Sequence, residues 1–163
     1  MYILFEKFNN IDTYFMSRLM VFAVKGQWVH CEIVFNEANN VRASAWDTHG
    51  MEFREWATLK NPDYFELYPL PSENWQAAFQ YCKFHEGREY DRAGVIGMTY
   101  GLGIFNSEKK FCSELCYEVI KDFTGISVPE IQPSLVSPLS LRRMLINQGI
   151  QPVPISTLNQ YLK

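Results

Sequence analysis

The chain has no apolar run of membrane-spanning length. Its longest strongly apolar stretch, Leu19 to Val24, falls far short of the roughly 20 residues a spanning helix needs. Basic residues do not gather into a stripe. Their densest spots are the pairs Lys109-Lys110 and Arg142-Arg143, which leaves nothing to track a phosphate backbone and argues against a nucleic-acid partner. Cysteine is scarce and scattered, at Cys31, Cys82, Cys112 and Cys116. That pattern excludes a disulfide framework and predicts free thiols in a reducing compartment. Residues Met1 to Lys7 have no basic n-region and meet a charge at Glu6, so no signal peptide is expected. The Gly-Lys-Ser/Thr of a phosphate loop, the Gly-x-Ser-x-Gly elbow of serine hydrolases, and the Cys-x-x-Cys and His-x-x-x-His spacings of zinc sites are all missing.

What is present is an ordinary globular balance, 47% hydrophobic and 20% charged over 163 residues with a net charge of -3. This predicts one domain over 1–163, with 150–163 as an irregular C-terminal arm. Aromatics make up 15% of the chain, which favours strands and flat packing surfaces over a plain helical bundle. The periodicity predicts strands at residues 1–8, Trp28–Phe35, Val41–Trp46, Met51–Trp56 and Tyr64–Leu70, joined by turns at Asn36–Asn40 and Asp47–Gly50, as a meander. A short helix from Asp12 to Met20 and a strand at Val21–Val24 are also expected. Helices take over afterwards. One is capped by Ser72, carries Trp75, Ala78, Phe79 and Cys82 on its apolar face and stops near Gly87; another spans Ser113–Phe123 and ends at Gly125. A third has Ser137 as cap and Pro138 at its first position. Ala93–Phe105 holds four glycines and is read as close packing or a flexible connection.

Two stretches bear on chemistry. In Trp28–Phe35, period 2 puts Val29, Cys31, Ile33 and Phe35 on an apolar face, and Trp28, His30, Glu32 and Val34 on the other. His30 and Glu32 therefore look at the same space. In Phe111-Cys112-Ser113-Glu114-Leu115-Cys116, Cys112 falls at a helix start. There the orphan N–H groups and the dipole favour a thiolate, and can also hold an oxyanion. Cys112 as nucleophile with His30 as base is thus the arrangement for acyl transfer. Cys31, Cys82 and Cys116 read as small core hydrophobes, His49 and His85 as structural or surface residues. A zinc site built from Cys112, Cys116, His30 and Glu32 is a weaker alternative.

Trp28-Val29-His30-Cys31-Glu32-Ile33-Val34-Phe35, then Tyr90-Asp91, then Phe111-Cys112-Ser113-Glu114 resembles the circularly permuted branch of the NlpC-type papain-like cysteine hydrolases. That branch holds YiiX-like bacterial proteins, lecithin–retinol acyltransferase relatives, and many phage and large-virus members. The resemblance spans residues 1–145 in layout, with the histidine strand ahead of the cysteine helix. It implies an α+β, circularly permuted papain-like fold, in which a small antiparallel sheet packs on helices and the nucleophile sits at a helix N-terminus. It also implies Cys112 as nucleophile and His30 as general base. Relatives place the third member on the strand after the histidine strand. That strand here, Val41-Arg42-Ala43-Ser44, offers no carboxylate, so Glu32 is the choice and Ser44 the runner-up. The Tyr90-Asp91 pair is expected to brace the site. The implied substrate is a peptide or an acyl lipid, with no cofactor, in a cytoplasmic or virion-packaged protein. A catalytically silent interaction module on the same fold, or a zinc-binding module, are the alternative readings.

Overall fold

The computed structural model describes residues 1–8, 26–102, 104, 106 and 108–159. The predicted helix at Asp12–Met20 and strand at Val21–Val24 lie outside these residues. The fold is α+β. Five antiparallel strands, β1 (Tyr2–Lys7), β2 (Trp28–Phe35), β3 (Val41–Trp46), β4 (Gly50–Arg54) and β5 (Phe65–Pro69), form one sheet in the order β4-β3-β2-β1-β5. Only β2, β3 and β4 make a meander. β5 passes to the far edge and pairs with β1, where Leu4 faces Leu67, because β1 still has an open ladder on that side.

The β1–β2 register runs regularly from Tyr2 opposite Val34 to Glu6 opposite His30, then shifts so that Lys7 faces Trp28. One extra residue in β2 thus makes a bulge at Val29, next to His30. A bulge turns the strand and re-aims nearby side chains. Strict alternation, which puts Trp28 with His30 and Val29 with Cys31, therefore fails at this end. Trp28 joins Cys31, Ile33 and Phe35 in the main core, while Val29 packs in a separate cluster with Val95, Met98 and Phe111.

Among the described residues, four longer helices follow the sheet, α1 (Trp75–His85), α2 (Arg92–Tyr100), α3 (Cys112–Phe123) and α4 (Pro138–Asn147), with a last short helix, α5 (Ser156–Asn159). α1 starts after Asn74 rather than being capped by the Ser72 side chain. α4 follows its expectation closely: Ser137 and Ser140 form a reciprocal capping box, with Pro138 at the first position. α3 lies across the sheet with Leu115, Cys116, Tyr117, Val119 and Ile120 buried against Ile3, Phe5, Ile33 and Phe35. Each such side chain is worth roughly 1.5–3 kcal/mol when fully buried. The polar tips on α3 are anchored rather than lost: Ser113 Oγ donates to the Val136 carbonyl at 2.7 Å and the Tyr117 hydroxyl to that of Pro129 at 2.6 Å.

The other sheet face is covered as well. Leu4, Val34 and Leu67 pack with Trp56 and with Leu158 of α5, and Val153 bridges to Leu67. Residues 150–159 are therefore not a free arm. Their apolar positions Val153, Ile155 and Leu158 close the second face, a tertiary fit that a proline-broken tail does not announce.

The glycine-rich stretch, with its two expectations of close packing or a flexible connection, is helical over Arg92–Tyr100 and close-packed there. Asp91 caps α2 by accepting from the Gly94 N–H at 2.8 Å. Gly94 and Gly97 serve close packing, since a Cβ at either would press on Asp91 or on Ile104; Gly103 is outside the described residues. Gly50 is the most constrained position. Its φ is +73 and a Cβ there would collide with the Arg88 carbonyl, which accepts from the Met51 N–H at 2.8 Å. Gly50→Ala is expected to lower stability by more than ~1 kcal/mol, read as a fall in the denaturant midpoint with an unchanged slope.

Candidate active site

Cys112 is the first residue of α3, after Phe111 in extended conformation. Phe111 has no side-chain acceptor, so no side chain at that position caps the first-turn N–H groups, and the positive end of the helix favours negative charge at Cys112. The thiol is held well below its ordinary pKa. The largest cause is a hydrogen bond from the Cys31 thiol; burial opposes it, and the charge and hydrogen bond of His30 add to it. Burial alone would lower the His30 pKa, but the Cys112 sulfur, then Glu32 and Glu6, push it up from 6.5 to about 9. The directions are complementary: a thiolate and an imidazolium stabilise each other in a site that excludes water.

Glu32 reaches toward the same ring. Its Oε1 lies 3.6 Å from His30 Nε2, and its Oε2 accepts from Arg42 Nη1 at 2.7 Å. Arg42 Nη2 also donates to Thr58 Oγ1 at 2.7 Å. Glu32 and Arg42 are both nearly closed to solvent, so each needs the other's charge. The pair follows from register: Arg42 stands opposite Val34, which makes Glu32 its diagonal neighbour on the same face. Ser44 is turned to another task. Its hydroxyl donates to the Cys31 carbonyl at 2.7 Å, beyond the point where the paired β2–β3 register ends at Ile33 and Ala43. The His30 ring rests against Trp46, with centroids 5.5 Å apart.

Tyr90 comes to the site from the α2 side. It bridges to Lys110, two residues before Cys112, and its hydroxyl hydrogen-bonds to the Cys112 sulfur. Burial, then the charges of Cys112 and Asp47, raise its pKa well above the ordinary phenol value, so it stays a donor. Tyr90 also lines a cleft of about 440 Å³ whose other walls include Asp47, His49, Glu89, Arg92 and Lys109. Arg92 Nε donates to Asp47 Oδ1 at 2.6 Å across it. Asp91 acts on backbone, as the α2 cap. Glu114 faces away from this chemistry: it pairs with Lys110 at 3.2 Å, and burial pushes its pKa up to about 7 against the pull of Lys110.

The structure thus brings Cys112, His30 and Glu32 together and leaves Ser44 as a backbone donor. The sequence reading missed Arg42 and Cys31. An arginine between apolar residues on a central strand is a signal that a buried carboxylate faces it. Cys31 gave no signal, because a cysteine inside an apolar strand face looks like core. His85 is buried beside Tyr81, and burial, with Arg88 and Lys110 nearby, lowers its pKa to about 4. Among the described residues, no group of three His, Cys, Asp or Glu side chains is placed to hold a metal ion. None of the described helices is long and apolar enough to cross a membrane. No family model and no curated protein matches the sequence.

Proposed function

We propose that this chain is a cysteine-dependent acyl-transfer enzyme, a hydrolase or acyltransferase built on a circularly permuted papain-like fold. The observation that carries the reading is the His30 imidazole against the Cys112 thiol at the start of α3, with the Tyr90 hydroxyl on the same sulfur. The chain order, histidine strand β2 before nucleophile helix α3, supports the permuted arrangement. The Cys112 thiolate attacks an amide or ester carbonyl carbon, and the first-turn N–H groups of α3 and the Tyr90 hydroxyl receive the oxyanion. The His30 imidazolium gives its proton to the leaving group, and the thioester is then resolved by water or another acceptor, with His30 as base. Glu32 faces Nε2 at 3.6 Å, beyond hydrogen-bond reach, and its negative charge favours the imidazolium. The substrate is a peptide or an acyl lipid.

Cys112 has no solvent exposure in this state, and that observation favours a second reading, a silent module that keeps the fold without turnover. A small activated ester separates the two. Incubation with p-nitrophenyl acetate is expected to release nitrophenol in a burst and leave one acetyl group on Cys112 by mass spectrometry. An unmodified Cys112 after prolonged incubation would favour the silent module. In the same assay Tyr90→Phe is expected to slow the acylation rate by about 10- to 100-fold through loss of one oxyanion donor, at the lower end of what such donors contribute.

A further inference from the structure

We propose that Cys31 is a resolving thiol, which closes a disulfide onto Cys112 when hydrogen peroxide oxidises the nucleophile. Three sulfurs meet where β2 and α3 pack: Cys31, Cys112 and Cys116 share one core cluster, all with 0% exposure. The Cys31 thiol neighbours both helix sulfurs closely enough to interact with each. Acyl transfer uses Cys31 only as a donor that favours the Cys112 thiolate and gives its sulfur no covalent part.

Helix spacing rules out one pair. Cys112 and Cys116 sit one turn apart on α3, where Cβ atoms are about 5–6 Å apart, too far for the roughly 3.5–4.5 Å of a disulfide. Closing that pair would distort the helix. Cys31 approaches from the strand, and its backbone is fixed on two sides, by pairing with Phe5 and by the Ser44 hydroxyl on its carbonyl. Cys82 touches this group only through the charge of Cys116. The thiolate character of Cys112 makes it the sulfur that reacts first.

Closure of the site also selects the oxidant. A thiol without exposed surface admits a molecule close to water in size, hydrogen peroxide, ahead of a bulky disulfide such as oxidised glutathione. The Cys112 thiolate attacks one peroxide oxygen. The S–O bond forms, the O–O bond breaks, and the departing hydroxide takes a proton to become water. Cys31 then attacks the sulfur of this sulfenic acid. The S–S bond forms and the S–O bond breaks, with the Cys31 proton leaving in a second water. Two thiols and one peroxide become one disulfide and two waters. The nucleophile is silenced reversibly and kept from irreversible sulfinic acid.

The inference borrows from the acyl-transfer reading only that Cys112 is a thiolate, and its test does not use acylation. The reduced protein, whose four cysteines are free, is treated with one equivalent of hydrogen peroxide, denatured in alkylating agent and mapped without reduction. The expected result is loss of two of the four thiols, a linked Cys31–Cys112 peptide, and full recovery with dithiothreitol. With peroxide raised to several equivalents, Cys31→Ser is expected to carry dithiothreitol-resistant sulfinic acid on Cys112, whereas Cys116→Ser behaves as the parent. A Cys112–Cys116 peptide, survival of all four thiols, or sulfinic acid in the parent as in Cys31→Ser would overturn it. Should Cys31→Ser not fold, the parent's peptide map decides alone. A linked peptide in a protein that p-nitrophenyl acetate does not acylate would leave this inference standing and the hydrolase reading lost.

Discussion

His30→Ala is expected to move the alkylation of Cys112 by iodoacetamide to alkaline pH and to slow acylation by about 10²- to 10⁴-fold. The sign follows from the pair. With Cys112 held below the usual thiol range and His30 raised to about 9, the thiolate–imidazolium form fills the interval between those two values. Acid protonates the thiolate and ends reactivity on one side. On the other, acylation falls near pH 9, when the imidazolium loses the proton it must give the leaving group. An unpaired histidine would put that limb near 6.5. Without His30 the thiolate keeps the Cys31 donor and the helix start but loses the cation, so its pKa rises and the reactive form retreats from neutral pH. Rates measured from about pH 4 to 10 on parent and variant, against Cys82 as internal control, check this. An unchanged Cys112 profile in His30→Ala would mean that His30 is not its partner.

Glu32→Gln has the second large effect, and it reaches stability as well as chemistry. The substitution keeps shape but removes the charge that faces Arg42 at 2.7 Å. Breaking a buried pair from one side leaves an uncompensated charge and costs about 3–5 kcal/mol. The same change takes away the carboxylate that favours the charged His30, so the alkaline limb of acylation moves to lower pH. Ser44→Ala serves as the contrast. Its hydroxyl bonds the Cys31 carbonyl, so the expected cost is about 1 kcal/mol with the pH profile unmoved. A Ser44→Ala profile that shifts while that of Glu32→Gln does not would exchange their roles. Urea unfolding and the pH dependence of the acylation burst, run on both variants, separate fold from chemistry.

Much of this was legible in the residues. β2, β3, α3 and α4 are carried by local rules, namely alternation over Cys31–Phe35, the cap Ser137 with Pro138, and the stop at Gly125. Such rules act within a few residues and survive tertiary packing. A helix start at Cys112 and a histidine two residues from a glutamate on one strand face are equally local, so the pairing of Cys112 with His30 and Glu32 was readable. α2 was not, because Gly94 and Gly97 lower helix propensity and their reason, close approach to Asp91 and Ile104, is non-local. The tail 150–159 was not, because three apolar residues among prolines show their use only against the second sheet face.

By itself, then, the sequence determined the α+β composition, most elements and the candidate pair Cys112 and His30, since these rest on periodicity, caps and the chemistry of side-chain types. Tertiary structure alone decided the rest: the strand order with β5 beside β1, the bulge that turns His30, the Arg42 partner of Glu32, and the contact between Cys31 and Cys112. Each joins groups from different elements, and no local rule records which side chains meet once a sheet twists and a helix settles on it.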